Sequence, residues 1–229
     1  MSGASAIDTH DLRKALGQFA TGVTVITTID PETGTPIGRT ANSFASVSLD
    51  PPPLLWSLHR SSPSASAFLA ASRFAVNILS ADQIDISGHF AKSGGDKFAG
   101  VDWQQGLDGV PLLPGASAVF ECSRTAAHEG GDHLIIVGAV DRFTRYDRPG
   151  LVFADGRYGL VADHPVLDND GSTGSPVSEP HPYDDFLIPP LFRAYDTLYS
   201  NVPELPDSSC TSARPMPIPS VPPTPPYTR

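Results

Sequence analysis

The chain has 229 residues, 40% of them hydrophobic, with a formal net charge of −10, which is enough apolar content to bury one good core. Its 15 basic residues form no cluster or stripe, which excludes nucleic-acid binding, because phosphates are neutralised by grouped Lys and Arg. Cys122 and Cys210 lie far apart, so no disulfide framework is expected; neither a signal peptide nor an 18-residue apolar run is present, and a cytoplasmic chain with no membrane span is expected.

Asp8 is placed to cap a helix in which Leu12, Leu16 and Phe19 recur at i, i+4 and i+7, a covering helix that Gly22 ends. Residues 23–29 are almost all β-branched, and the turn Asp30-Pro31-Glu32-Thr33-Gly34 leads into a hairpin partner at 36–41. Strands are expected at 43–49 and 54–59, separated by Asp50-Pro51-Pro52-Pro53, which cannot donate ladder hydrogen bonds. Ser62-Pro63 has the form of an N-cap with proline at the first helical position, opening a helix to about Ser72. Then follow a strand at 74–79, a helix from Asp82 to Phe90, an irregular stretch from Gly94 to Gly115, strands at 117–127 and 133–144, and a last short strand at 151–153.

Many short strands, few helices and no strand–helix alternation predict a mainly β fold, an antiparallel barrel with peripheral helices. No Gly-x-Gly-x-x-Gly opens a helix after the first strand, so a Rossmann fold is not expected. Residues 1–162 hold nine of the 24 prolines and 163–229 hold 15. The domain is therefore expected to end at about 162, with a proline-rich, acidic extension beyond it.

Four segments carry groups suited to a ligand. In Thr40-Ala41-Asn42-Ser43-Phe44-Ala45-Ser46-Val47-Ser48, strand alternation sends Ser46 and Ser48 to one face and Val47 and Leu49 to the other; Thr40, Asn42 and Ser43 add groups able to read the edge of a planar heterocycle. Arg60, Ser61 and Ser62 sit where a strand meets a helix N-terminus, a phosphate seat by charge and free N–H groups. Glu129-Gly130-Gly131-Asp132-His133 gives a tight turn in which Asp132 can orient the His133 imidazole. Tyr158 can stack on a ring, and Lys92 and Lys97 are cations flanking a glycine loop. Each segment also has an ordinary structural reading: a solvated strand face, a capping loop, a hairpin turn, a core tyrosine and surface lysines.

In order along residues 10–161, these segments resemble the flavin reductase family, the FMN-binding split-barrel reductases that supply reduced flavin to two-component monooxygenases. The resemblance runs through Gly22-Val23-Thr24-Val25-Ile26-Thr27-Thr28, Thr40 to Pro52, Arg60-Ser61-Ser62, Arg73 to Leu79, Lys97-Phe98, Gly130-Gly131-Asp132-His133 and Arg157-Tyr158-Gly159. It implies a split β-barrel homodimer that uses FMN or FAD with NADH or NADPH. Thr40, Ala41, Asn42, Ser43, Ser46, Val47 and Ser48 would line the flavin. Ser46 to Ser48 with Arg60, Ser61 and Ser62 would hold its phosphate, and Lys97 would be a further cofactor-binding residue. Gly131, Asp132 and His133 would meet the nicotinamide, with Tyr158 beside them and His133 in an orienting or electrostatic role. Two alternatives remain open at this point: a flavoenzyme that retains its flavin and acts on an organic substrate, and a non-catalytic flavin-binding or interaction module.

The extension departs from the family pattern. Leu191, Ala194, Tyr195, Leu198 and Tyr199 fall on one stripe of a short helix expected around 190–199, followed by a polyproline-like run from Pro215 to Pro226.

Overall fold

A computed structural model describes residues 7–162; the expected helix at 190–199 and the polyproline run lie outside them. The elements are α1 (Thr9–Gly17), β1 (Thr21–Gly22), β2 (Thr24–Ile29), β3 (Pro36–Ala41), β4 (Ala45–Ser46), β5 (Pro53–His59), α2 (Ala65–Ala70), β6 (Arg73–Ile78), α3 (Ile84–Ala91), β7 (Gln104–Gln105), β8 (Pro111–Leu112), β9 (Ala118–Gly130), β10 (His133–Arg145), β11 (Val152–Ala154) and β12 (Arg157–Gly159). One seven-stranded sheet runs β3-β2-β6-β9-β10-β5-β4, every pairing antiparallel. β1, β11 and β12 form a small second sheet, and β7 and β8 a third.

The large sheet curls so that its margins approach. Among the described residues no ladder joins β3 to β5; the gap is bridged by the Ser43 hydroxyl, which accepts from the Ser57 N–H at 2.9 Å and reaches the Ser57 carbonyl at 3.2 Å. A side chain rather than a strand pairing closes this seam, which is what makes the barrel split. The core against the sheet holds Ile26, Trp56, Phe68, Phe74, Val76 and Ile136. A second cluster of Val25, Leu79, Phe90, Phe98 and Leu151 seats α3. Cys122 lies in the first cluster with no exposed surface, and burial pushes its thiol up to about 12.

The longest strands, β9 and β10, pair over their length with register shifts at Val137/Gly138 and Val140/Arg142. The second shift leaves Asp141 unpaired in the ladder, a bulge that frees its carboxylate to accept from Arg73 at 2.6 Å and from Ser123 at 2.7 Å. Gly138 is needed at the first, because a Cβ there would lie 2.6 Å from the Phe74 ring.

Three local expectations are corrected. Asp8 caps α1, accepting from His10 N–H at 2.8 Å, but the helix ends at Gly17 instead of Gly22, and it covers nothing: none of its residues is buried, and Leu16 is 66% exposed. α1 is attached through its backbone end, where Asp155 N–H donates to Gly17 O at 2.7 Å. The strand expected at 43–49 shrinks to Ala45–Ser46. Ser43 is drawn to Ser57, and beyond Ser46 the chain returns tightly, with Val47 N–H on Pro53 O at 3.0 Å, so Val47 and Leu49 are exposed instead of packed. α2 begins at Ala65 behind Ser64, which makes no side-chain cap. Ser62 is therefore not the N-cap; its hydroxyl meets Ser64 Oγ at 2.9 Å and its carbonyl accepts Ala65 N–H at 2.9 Å.

Candidate functional site

Two hollows flank the end of β3 and share Thr40, Ala41 and Asn42. One, of about 260 Å³, lies in the barrel seam, walled by Arg39 to Ser43 on one margin, Trp56 to His59 on the other, and His133. Its neighbour, of about 250 Å³, is closed by Ser87, Phe153 and Tyr158. Both are near the lower end of the range for small-ligand pockets.

Thr40 and Ser43 differ from what their residue types suggest. The Thr40 hydroxyl donates to Ser87 O at 2.7 Å, tying β3 to α3, and Ser43 is the seam clamp. Their hydroxyls hold the wall, and the exposed Asn42 amide is the group left for a ligand. Tyr158 is fixed by Ser87, hydroxyl to hydroxyl at 2.8 Å, with its ring 5.5 Å from that of Phe153.

The other wall is built by the β9–β10 turn. Gly130 pairs with His133, leaving Gly131 and Asp132 as a two-residue loop. Gly131 takes φ +73°, the first central position of a type II′ turn, where glycine is required. Asp132 Oδ1 lies 2.7 Å from His133 Nδ1, and this hydrogen bond first of all keeps the carboxyl below its ordinary range. An ionised carboxylate only accepts, so Nδ1 carries the proton and Nε2 of neutral His133 is left as the free nitrogen.

The expected phosphate seat is not assembled within one chain. Ser46 pairs with Leu54, and His59 pairs with His133; the run of β5 from Leu54 to His59, with Arg60 one step beyond, separates Ser46 from Arg60 by roughly 20 Å, at about 3.3 Å per residue. Ser46 and Ser48 line a separate apolar hollow of about 470 Å³ with Phe44, Leu49, Leu54 and Phe120, so Leu49 shares their side instead of opposing them. Val47 lines none of these hollows. Arg60 pairs with Glu129 at 3.2 Å, and Ser61 Oγ sits 2.8 Å from His59 Nδ1.

Lys97 is not a free cation. Its ammonium donates to Phe90 O at 2.8 Å and Gly38 O at 3.4 Å, beside a fourth hollow of about 160 Å³. Burial, then the nearby Arg39 charge, brings it down from 10.5 to about 8. Between those values the unfolded chain carries a proton at this residue that the folded chain has shed, so its contribution to stability rises with pH there, and the full penalty stands below about 8. Lys97→Met should flatten that part of the stability curve; urea midpoints at about pH 7.5 and about pH 10 measure it, and an unchanged slope contradicts the assignment.

Residues 16–162 match the model of the family described as flavin reductase like domain. The chain belongs to this family. The FMN reductase (NADH) SmoA of Agrobacterium fabrum is 50% identical to this flavin reductase domain over 152 residues, covering 66% of this chain and 86% of that one. The reductase subunit HsaB of a flavin-dependent monooxygenase from Rhodococcus jostii is 42% identical over 166 residues, 71% of this chain and 84% of its own. The structure of the Streptomyces globisporus NADH:FAD oxidoreductase SgcE6, in complex with NAD and FAD fragments, superimposes with a TM-score of 0.64 at 41% identity over 69% of this chain and 98% of that one.

The seam of this flavin reductase domain fits a flavin. Its accessible polar groups are the exposed Asn42 amide and the partly exposed imidazoles of His59 and His133, while the Trp56 indole is wholly buried in the core behind them. The wall thus offers amide and imidazole groups, and an isoalloxazine ring carries carbonyl oxygens and ring nitrogens that such groups can meet. Sequence reasoning passed over His59, Arg39 and Ser87 as site residues. Alternation in β5 and β10 would have put His59 and His133 at matching strand ends, but no local signal brings Ser87 to Tyr158. Among the described residues no helix is long and apolar enough to cross a membrane.

Proposed function

We propose that the seam hollow, with its wall of Thr40 to Ser43 and its rim at His133, is where a nicotinamide meets flavin in this NAD(P)H-dependent flavin reductase, which supplies reduced flavin to a partner monooxygenase. The observation that carries this assignment is the convergence of the Thr40 to Ser43 segment and the Asp132-held His133 on one hollow.

When bound, the cofactors supply the chemistry, a hydride passing from nicotinamide C4 to flavin N5. Asn42 is placed to bind the ring edge. Asp132 fixes the His133 ring, and the free Nε2 orients the second cofactor and stabilises charge at the rim. Tyr158, locked by Ser87, bounds the neighbouring hollow against the shared Thr40–Asn42 edge. With no side chain required as a base, approach and orientation carry the rate.

Flavin is read as a substrate that comes and goes, either FMN or FAD, with NADH or NADPH as donor. NADH oxidation that rises with added free FMN or FAD supports this; flavin that copurifies tightly with negligible turnover sinks it. The domain is read as one half of a homodimer, with Ser46 and Ser48 serving a groove that two copies share. The exposed Leu12 and Leu16 of α1, Phe19 just beyond it, and Phe143 at 65% exposure, favour a partner surface, and light scattering that gives a monomer contradicts it. Residues 163–229 are read as an extension outside the domain, and the protein as cytoplasmic, which cell fractionation checks.

A further inference from the structure

His59 stands directly opposite His133 in the β5–β10 ladder, and the two rings lie 5.0 Å apart, edge against face. Both line the seam hollow. His59 Nε2 lies 3.6 Å from Asp132 Oδ2, the oxygen that His133 does not use. On its other side, His59 Nδ1 accepts the Ser61 backbone N–H at 3.2 Å and meets Ser61 Oγ at 2.8 Å.

These contacts fix the tautomer. A nitrogen that accepts from a backbone N–H holds a lone pair and no proton, so neutral His59 carries its hydrogen on Nε2 and presents it to Asp132. One carboxylate thereby lies between two imidazoles, hydrogen-bonded to His133 and 3.6 Å from His59 Nε2. A third contact steadies the turn: Arg60 N–H donates to Asp132 O at 2.9 Å, while the Arg60 guanidinium pairs with Glu129. Without His59, the Asp132 carboxylate keeps only its hydrogen bond to His133, and the two side chains are free to swing together above a turn whose backbone Arg60 N–H still holds.

We propose that His59 is a positioning residue for nicotinamide use, acting through Asp132 on the orientation of His133; this rests on the assignment of His133 to the nicotinamide. His59 approaches the reacting atoms only by way of its neighbour. Its contribution is to hold the second oxygen of the carboxylate and to limit rotation of the adjoining ring.

The test is a double-mutant cycle on the full chain, measured as steady-state NADH oxidation with FMN in excess. His59→Ala should raise the KM for NADH about three- to fivefold, the scale of one exposed charge-assisted contact, with the KM for FMN unchanged. His59→Gln, whose amide N–H falls near the place of Nε2, should recover most of the loss. In the His133→Ala background, His59→Ala should add nothing, because the group it acts through is gone. Equal multiplicative losses in both backgrounds overturn the inference, as does a His59→Ala enzyme indistinguishable from the unaltered one. If His133→Ala itself leaves the KM for NADH unchanged, the assignment of His133 fails instead. Circular dichroism of each variant separates these outcomes from misfolding.

Discussion

His133→Ala should lower kcat/KM for NADH by about 10- to 100-fold, less than the roughly 100- to 1,000-fold lost with a preorganised donor to a developing charge because the ring orients its ligand, while the KM for flavin stays within about twofold. The asymmetry follows from where the ring sits. Its Nδ1–H is committed to Asp132 at 2.7 Å, its free nitrogen is at the rim of the seam, and the Asn42 amide, set to hold the flavin edge, belongs to another segment. Steady-state kinetics with each substrate varied separately measures both constants. Equal loss toward nicotinamide and flavin would contradict the division of labour.

Trp56→Ala should give the largest loss of stability. The side chain has no exposed surface, and its ring lies 4.9 Å from Phe68 and 6.1 Å from Phe74. Removing it forfeits the transfer free energy of a large aromatic and leaves a cavity between α2 and the sheet, together costing about 3–5 kcal/mol. In a domain of this size that lowers the midpoint of thermal unfolding by about 10 °C. A melting point within about 2 °C of the unaltered protein's would show that the cluster around Trp56 is not the core it is taken to be.

Features that depend on neighbours along the chain are legible in the residues themselves. Asp8 announces its helix because a cap acts within three residues. Asp30 to Gly34 is a turn by composition, with Asp30 accepting from Glu32 N–H and Thr33 Oγ1, and the paired glycines before His133 mark the β9–β10 hairpin. Motif order is enough to name the family and to single out Thr40 to Ser43 and His133.

What escapes such a reading is non-local. Thr40 and Ser43 stand out for hydroxyls that turn out to be committed to Ser87 and Ser57, partners 47 and 14 residues away. The alternation from Ser46 to Leu49 presumes a strand that the return to Pro53 interrupts. His59 does not stand out, because its importance comes from strand register, and Lys97 looks free because two carbonyls of distant segments are invisible in its surroundings along the chain.

The deep placement of Cys122 bears on survival in service. Any enzyme that releases reduced flavin works beside a source of hydrogen peroxide, since dioxygen reoxidises flavin that misses its destination. Peroxide attacks the thiolate and scarcely the thiol. A sulfur with no solvent contact, kept protonated far above physiological pH, offers that oxidant nothing to react with, so the strand interior should stay chemically intact through many wasted turnovers.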